Sequence, residues 1–379
     1  MLPLIMLTMS SLLFAQVASG DGKVSSAGQA HEAEALVQSA RAAEKSGDLK
    51  TAIEDYRKAL ATRPDLVEAH EGLGGALVAA GRLDEAIDED TRALLIAPGN
   101  AALGTNLGLA YYRKGDLVHA RSQFETVHRA NPGDLNAAVL LGYTYIRMNR
   151  EADGADLLTP MEAGHEDNLD LEYVLGYAMI RSGREVDGIP RMENVAKARR
   201  AADAWFVAGT ARFGRREFRE ALSDAEQALQ CDPSLPGGHT LAGQARFAIG
   251  EPEAAAKDFQ AALRADPRDM TANLYLGILR FDERDFENAR PLLELAVALD
   301  PKAPLGRFVL AKLNAVTGNQ PAALAALEEL EKTDPKWLDL HVELAALYYK
   351  MHRPEDGKRE REIVQQLQAT MPKPGHPQQ

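Results

Sequence analysis

Arginine supplies the most regular chemistry in this chain. Arg113, Arg147 and Arg181 stand 34 residues apart, and Arg212, Arg246 and Arg280 repeat the same interval. Aromatic residues keep that interval too, first Tyr143 and Tyr177, then Phe213, Phe247 and Phe281. A guanidinium presents a planar fork of donors matched to carboxylates. Aromatic rings and arginine are also the side chains that dominate binding energy at protein interfaces. Groups of this kind hold a partner and do not break bonds. The groups that would break bonds do not assemble. His31-Glu32 opens no HExxH motif, because Ala35 stands where the second histidine is required. There is no phosphate-binding glycine loop with Lys-Ser/Thr, no GxGxxG and no GxSxG. The histidines are scattered, and His70 and His239, at equivalent places in a repeat, read as partly buried or surface residues rather than metal ligands. Acidic pairs such as Glu328-Glu329 read as solvating charge on exposed helix faces. The expectation is a protein that is not an enzyme, with no cofactor, no metal and no small-molecule substrate.

Composition narrows the class further. The formal net charge of -13 argues against nucleic acid, which demands a basic face. Alanine, leucine, glutamate and arginine dominate and aromatics are few, the makeup of a helical protein. Cys231 is the single cysteine, so no intramolecular disulfide can form. It sits beside Asp232-Pro233 and reads as a small half-buried residue in a turn. Leu2 to Val17 are almost wholly apolar, and no charge precedes Asp21. Together with Ala15, Ala18, Ser19 and Gly20, this run suits a secretory signal at residues 1–20. An uncleaved membrane anchor is the alternative. Residues 21–32 read as a linker.

The elements that carry these side chains emerge from self-similarity. Gly74, Gly108, Gly142 and Gly176 are each 34 apart, and Gly209, Gly243 and Gly277 continue after one step of 33. Ala40 precedes the series, and Ala311 and Ala345 extend it. Pro64, Pro98, Pro132, Pro233, Pro267, Pro301 and Pro335 keep the same period. A third series follows the first by twelve residues, from Ala52, Ala86 and Ala120 to Ala323 and Gly357. Within a unit, Leu103, Leu107, Ala110 and Tyr111 recur at helical spacing. A polar turn, Lys114-Gly115-Asp116, comes next, then a second amphipathic run through Ala120, Phe124 and Val127. Asn131-Pro132 ends it, since proline cannot continue a helix. Each unit is therefore helix, turn, helix, stop. The glycine in the first helix implies a close crossing, where a leucine would cost roughly 1–3 kcal/mol by overpacking.

This pattern closely resembles the tetratricopeptide repeat family, carried most completely by Asn106-Leu107-Gly108, Tyr111, Ala120, Phe124 and Pro132. Ten units start near residues 33, 67, 101, 135, 169, 202, 236, 270, 304 and 338. The resemblance implies an all-α, right-handed α-solenoid over residues 33–369, of an exported, periplasmic or secreted bacterial type. Units four and five depart from the pattern. Glu166 and Arg200 replace the terminal proline, and Gly154 and Gly188 replace alanine. Pro160 should kink or shorten its helix, leaving Ala163 to Asn168 as a distorted loop. Pro190 and Pro291 fall in early turns and cost less. The Lys358-Arg359-Glu360-Arg361-Glu362 run suits a charged terminal cap. Residues 370–379 read as a disordered tail.

The resemblance also implies that partners bind a concave groove lined by the first helices. The residues expected there are Leu109, Tyr112 and Arg113; Tyr143, Ile146 and Arg147; Tyr177, Ile180 and Arg181; Phe213, Phe247 and Phe281; and Tyr349. Two readings stand for this set. One is a groove with an aromatic floor and an arginine ladder, suited to a protein or peptide with acidic residues. The other is recurrence by duplication, with some aromatics packing between neighbouring helices. Arg212, Arg246 and Arg280 stand where the family places a packing aromatic, so each following phenylalanine could take over that packing. The clamp of chaperone-binding relatives is absent, since Val37, Arg41, Glu71 and Gly75 occupy its places. The implied role is a protein-interaction scaffold, or alternatively an assembly factor for a secretion, pilus or polysaccharide machine. An enzyme accessory is a remoter reading, and the oligomeric state stays open.

Overall fold

The computed structural model describes residues 26–370. Among them are twenty α-helices, one 3-10 turn and no strand. The signal stretch and the residues after Thr370 lie outside the described residues. The stretch read as a linker does not hold in full, because α1 already begins at Ser26. Its residues Ala30 and Ala33 carry the helix toward the core, and Ala33 is fully buried.

The helices pair as the repeats require. They are α1 (Ser26–Ser46) with α2 (Leu49–Thr62), α3 (Val67–Ala79) with α4 (Leu83–Ile96), and α5 (Ala101–Lys114) with α6 (Leu117–Ala130). Next come α7 (Leu135–Arg147) with α8 (Glu151–Leu158), α9 (Leu169–Arg181) with α10 (Glu185–Arg199), and α11 (Ala202–Gly214) with α12 (Phe218–Cys231). The remainder are α13 (Gly238–Ala248) with α14 (Pro252–Ala265), α15 (Met270–Asp282) with α16 (Phe286–Leu299), α17 (Pro304–Val316) with α18 (Gln320–Thr333), and α19 (Leu338–Lys350) with α20 (Pro354–Thr370). The chain packs as two compact units, divided inside α10 after Arg191.

Local chemistry sets the ends of each helix. Asp48, Asn100, Asp116, Asp134, Asn168, Asp269 and Asp285 each accept a hydrogen bond from a first-turn amide. Such caps satisfy donors that the helix itself leaves open. The tight turn inside every pair needs one left-handed residue. Glycine supplies it at Gly47, Gly81, Gly115, Gly183, Gly250 and Gly318, while Asn149, Arg216, Arg284 and His352 adopt it with a side chain.

In several pairs the core is a knob from the second helix seated on a small residue of the first. A Cβ on Gly108 would come 2.5 Å from the Phe124 ring, one on Gly243 would come 2.7 Å from Phe259, and one on Gly142 would come 2.7 Å from Leu158. The close crossing expected from the glycine series is thus a socket for one side chain. The alanine series forms the opposite wall, with Ala52, Ala86, Ala120, Ala221, Ala255, Ala289 and Ala323 all fully buried. Gly188 is glycine for a reason, since a Cβ there would lie 2.6 Å from the Gly176 carbonyl oxygen. Gly154 has ordinary room, so its departure from alanine has no steric cause.

Pro160 acts as expected. α8 has eight residues and ends in the 3-10 turn Thr159–Met161, followed by an irregular stretch to Asn168. Arg191 grips the shortened end, its Nε and Nη2 donating to Glu162 at 2.5–2.9 Å.

One socket holds the wrong chemistry. Asp90 occupies the knob place in α4, which Tyr56, Phe124, Leu158, Phe259 and Leu293 fill elsewhere. It is fully buried against Gly74, and neither carboxyl oxygen has a hydrogen-bond partner. Burial, reinforced by the neighbouring Glu89 charge and only partly opposed by His70, pushes its pKa up to about 8. The folded state therefore keeps a proton that the unfolded chain sheds near the ordinary value of 3.8. Stability should fall as pH rises from about 4 to about 8, by up to about 1.4 kcal/mol per pH unit from this group. Asp90→Leu should remove that slope and raise stability at pH 8 by on the order of 3 kcal/mol. Thermal melts at pH 5 and pH 8, with hydrogen exchange read over α3 and α4, check this. A variant with an unchanged slope would mean that another group carries the pH dependence.

Candidate partner-binding groove

The structure gives the arginine ladder an internal task. Arg113 Nη1 donates to the Val78 carbonyl oxygen at 2.6 Å, and Arg147 Nη1 donates to the Tyr112 carbonyl oxygen at 2.9 Å. Lys350 does the same to the Ala315 oxygen at 2.8 Å. Val78, Tyr112 and Ala315 lie in the last turns of α3, α5 and α17, where the Val78 and Tyr112 carbonyls otherwise accept only from the cap and turn amides that follow. Each cation thus caps the preceding first helix and opposes its negative dipole end. The expectation that Arg113 and Arg147 are free to face a partner is corrected to that extent. Arg147 also lies over the Tyr112 ring at 4.5 Å, yet remains exposed. Arg181 is the most available of the three. It stands 3.6 Å from Glu151, with its side chain 58% exposed.

Among the other expected residues of the first compact unit, Leu109, Tyr112, Tyr143, Ile146, Tyr177 and Ile180 are all half-buried. Leu109 and Tyr112 pack on the cluster around Phe124 and Leu141. Ile180 lies against Gly188 of its own second helix. These residues are shared between packing and surface.

In the second compact unit Phe213, Phe247 and Phe281 are likewise half-buried, each packed on its local core. They do more than fill space. Phe213, Phe218, Phe247 and Tyr275, with Arg216 and Gln244, line a surface cavity of about 510 Å³. Phe247 also borders a second cavity of about 390 Å³ with Pro252, Leu279, Glu253, Asp282 and Glu283. The rings brace one another, with Phe213 to Phe218 at 5.3 Å and Phe247 edge-on to Tyr275 at 5.1 Å. Phe218 and Tyr275 were not among the residues expected from sequence. Phe218 and Phe286 occupy equivalent places two repeats apart, a usable signal, whereas Tyr275 has no aromatic counterpart in phase. Tyr349 sits differently. Its ring lies about 3 Å from where a Cβ on Gly357 would be, so it rests on its own second helix.

The second arginine series latches neighbouring repeats. Arg212 donates to Asp224 at 2.7 Å and to Glu193 of the preceding second helix. Arg246 repeats this with Asp258, and with Glu226 at 2.6 Å. Tyrosine does the backward half of this job elsewhere, as Tyr145 donates to Glu125 at 3.1 Å and Tyr348 to Glu328 at 2.8 Å. Glu328 is thus a latch acceptor, not a solvated charge. Arg280 meets Leu292 and Gln260 at the two acidic places, and turns to Glu283 instead. Burial raises Asp224 to about 6 even though Arg212 pulls it down.

A third recurring contact ties the start of a unit to its predecessor. In α3, His70 Nδ1 meets Glu89 at 2.6 Å and Nε2 donates to the Pro64 carbonyl at 2.9 Å. The hydrogen bond to Glu89 raises the pKa of His70 against the effect of burial. His341 repeats the arrangement with Glu360 at 2.8 Å and the Pro335 carbonyl at 3.0 Å. His239 makes the carboxylate half alone, to Asp258 at 3.2 Å.

Stacked helix pairs, latched in this way and presenting first-helix side chains at one interval, define an all-α solenoid of helical repeats. The tetratricopeptide repeat family model matches residues 37–101, 240–304 and 276–336, which supports that family for this chain. No curated protein matches the sequence. Several solved structures resemble it. A tetratricopeptide repeat protein from Parabacteroides merdae is 19% identical, over 66% of this chain and 99% of that one, with a TM-score of 0.49. YrrB, described as a TPR protein with an unusual peptide-binding site, is 20% identical over 47% of this chain and 93% of its own, with a TM-score of 0.41. Yeast Tom70 is 14% identical over 89% and 92%, with a TM-score of 0.36.

The latch makes a quantitative prediction. Arg212→Leu leaves Asp224 buried without its cation, and should cost about 3 kcal/mol. The double variant Arg212→Leu with Asp224→Leu should recover most of that loss, because the uncompensated charge is gone. Denaturant melts combined with hydrogen exchange over α11 and α12 measure both. Equal losses in the single and double variants would show that Arg212 acts through packing alone.

Proposed function

We propose that this protein is an interaction scaffold that holds a protein or peptide segment against its first helices. One observation carries the reading. Phe213, Phe218, Phe247 and Tyr275 form a braced aromatic floor in a cavity of about 510 Å³, large enough to seat one large apolar side chain of a partner. Aromatic anchors set in a rigid frame are what hot spots require, since little side-chain entropy remains to be lost. The latches and helix-end caps supply that rigidity.

The partner's acidity is a finer part of the proposal. Arg216 borders the aromatic floor, and the exposed Arg181 keeps its guanidinium open to a carboxylate in its own unit. The remaining polar border is mixed, with Glu253, Asp282 and Glu283 beside Phe247. The scaffold is proposed to act without catalysis, as an exported or envelope protein, on the strength of the apolar run Leu2 to Val17. A role in assembling an envelope machine fits the same groove and rests on no separate observation.

Selection of random twelve-residue peptides on the purified chain tests the core of this proposal. Enriched sequences should share one large apolar residue, with acidic residues nearby. Gln244→Glu changes the charge of the cavity lining while keeping the shape of the side chain, and should weaken the selected acidic peptides at least tenfold, about 1.4 kcal/mol. Arg181→Glu should weaken only those acidic peptides that bind the first unit. Absence of enrichment, or peptides indifferent to both variants, would place the interface elsewhere.

A further inference from the structure

The junction of the last two repeats carries a histidine–carboxylate cluster that the scaffold reading does not use. Glu331 of α18, His341 of α19 and Glu360 of α20 each bring one ligand atom within 4.8 Å of the other two. His341 and Glu360 are almost wholly buried, and Glu331 is half-buried at the edge.

Comparison with the other repeats isolates what is unusual. His70 with Glu89 and the Pro64 carbonyl reproduces His341 with Glu360 and the Pro335 carbonyl. At the place of Glu331, however, most other repeats carry an apolar residue, namely Leu60, Leu94, Ala196, Leu229, Leu263 and Val297, while the third and fourth carry His128 and Glu162 with no histidine–acid pair beside them. Beside His70 this residue is Leu60, and beside His239 it is Leu229. Among the described residues, only the last junction adds a second carboxylate to a buried histidine–acid pair. Glu331 forms no hydrogen bond or ion pair among the described residues, and its nearest charged neighbour of like sign is Glu360.

Charge and tautomer point the same way. The Pro335 carbonyl accepts from Nε2 of His341, which fixes the proton there and turns the Nδ1 lone pair toward two carboxylates. In the neutral imidazole three acceptors then face one another, and a proton on Nδ1 or a bound cation sits among them. At His70 one proton suffices, because there is one carboxylate. Two carboxylates are neutralised by a divalent ion. Arg359, exposed and hydrogen-bonded to Asp356 at 3.0 Å, stands 3.6 Å from Oε1 of Glu360 and supplies the one permanent positive charge paired with the cluster among the described residues. A ring nitrogen whose partner nitrogen is held by a backbone carbonyl is the usual disposition of a metal-ligating histidine. With bonds of about 2.0–2.2 Å around a tetrahedral ion, ligand atoms stand about 3.4 Å apart, so His341 Nδ1 and Glu360 Oε2, 2.8 Å apart, would part by roughly half an ångström while Glu331 moves inward.

We propose that Glu331, His341 and Glu360 bind one divalent transition-metal ion of the zinc class. One imidazole with two carboxylates suits that class better than the all-oxygen cages preferred by calcium or magnesium. The open side at Glu331 leaves room for water to complete the coordination. The ion would tie α18 of one repeat to both helices of the next and hold the last pair in register.

Calorimetric titration of the chelator-stripped full chain with Zn²⁺, beside Mg²⁺ as a control, tests the site. The expected result is one Zn²⁺ per chain, a melting temperature that rises with Zn²⁺, and no response to Mg²⁺. Glu331→Leu installs the residue that other repeats already use, so it should fold as the parent does by circular dichroism. It should lose at least a hundredfold in Zn²⁺ affinity and the Zn²⁺-dependent rise in melting temperature. Glu331→Gln, which keeps the shape of the side chain, should lose at least tenfold. Failure of the parent to bind at micromolar Zn²⁺, or equal binding by parent and Glu331→Leu, would overturn the proposal and leave a proton-bridged pair like that of His70 and Glu89.

Discussion

The architecture depends on one contact, the seating of a second-helix side chain in the socket left by a small first-helix residue. Phe124 over Gly108 and Phe259 over Gly243 leave no space for even a methyl group. That fit fixes the distance and rotation of each helix pair, because interiors are close-packed and the knob has one place to go. Everything polar in the repeat is arranged around a pair already locked by this contact. The turn residue with positive φ and the small wall residue, alanine in most repeats, exist to let it form.

Neighbouring pairs are then joined by polar links that reach backward along the chain. A first-helix cation caps the preceding first helix, an arginine or tyrosine grips the preceding second helix, and a histidine or asparagine binds the carbonyl of the preceding proline. The asparagine is Asn273, which donates to the Pro267 carbonyl as His70 does to Pro64. Buried polar links of this kind cost desolvation, yet they are directional and so specify which neighbour stacks and in what register. Asp90 is the exception that defines the rule, a socket residue with no partner for either oxygen. It leaves the core between α3 and α4 with an unpaired carboxyl group.

The same frame explains how an interaction surface can arise without a dedicated site. Residues such as Phe213 and Phe247 are packed on one side and open on the other, so their positions are set by folding. A partner meets side chains that are already immobile. The recurrence at 34 residues turns one such position into a row along the helices of each unit.

The period, the helix-turn-helix unit, its proline stop and the shortening caused by Pro160 were legible in the sequence. Each is a local property, since small residues, caps and prolines act within a few residues of where they stand. The linker boundary was misjudged because Gly, Ser and Ala between charges are also compatible with the first turns of α1. The direction of the recurring side chains was not legible. Arg113 and Arg147 recur like ligand-binding residues, but their partners lie 35 residues back, on a helix the stacking brings alongside. Arg212 finds its acids in two different helices, and Tyr275 joins the aromatic floor without any repeat counterpart. Sequence period states that a place recurs; only the packed structure decides whether that place faces solvent, a neighbour or a buried charge, because that depends on which atoms the next repeat sets against it.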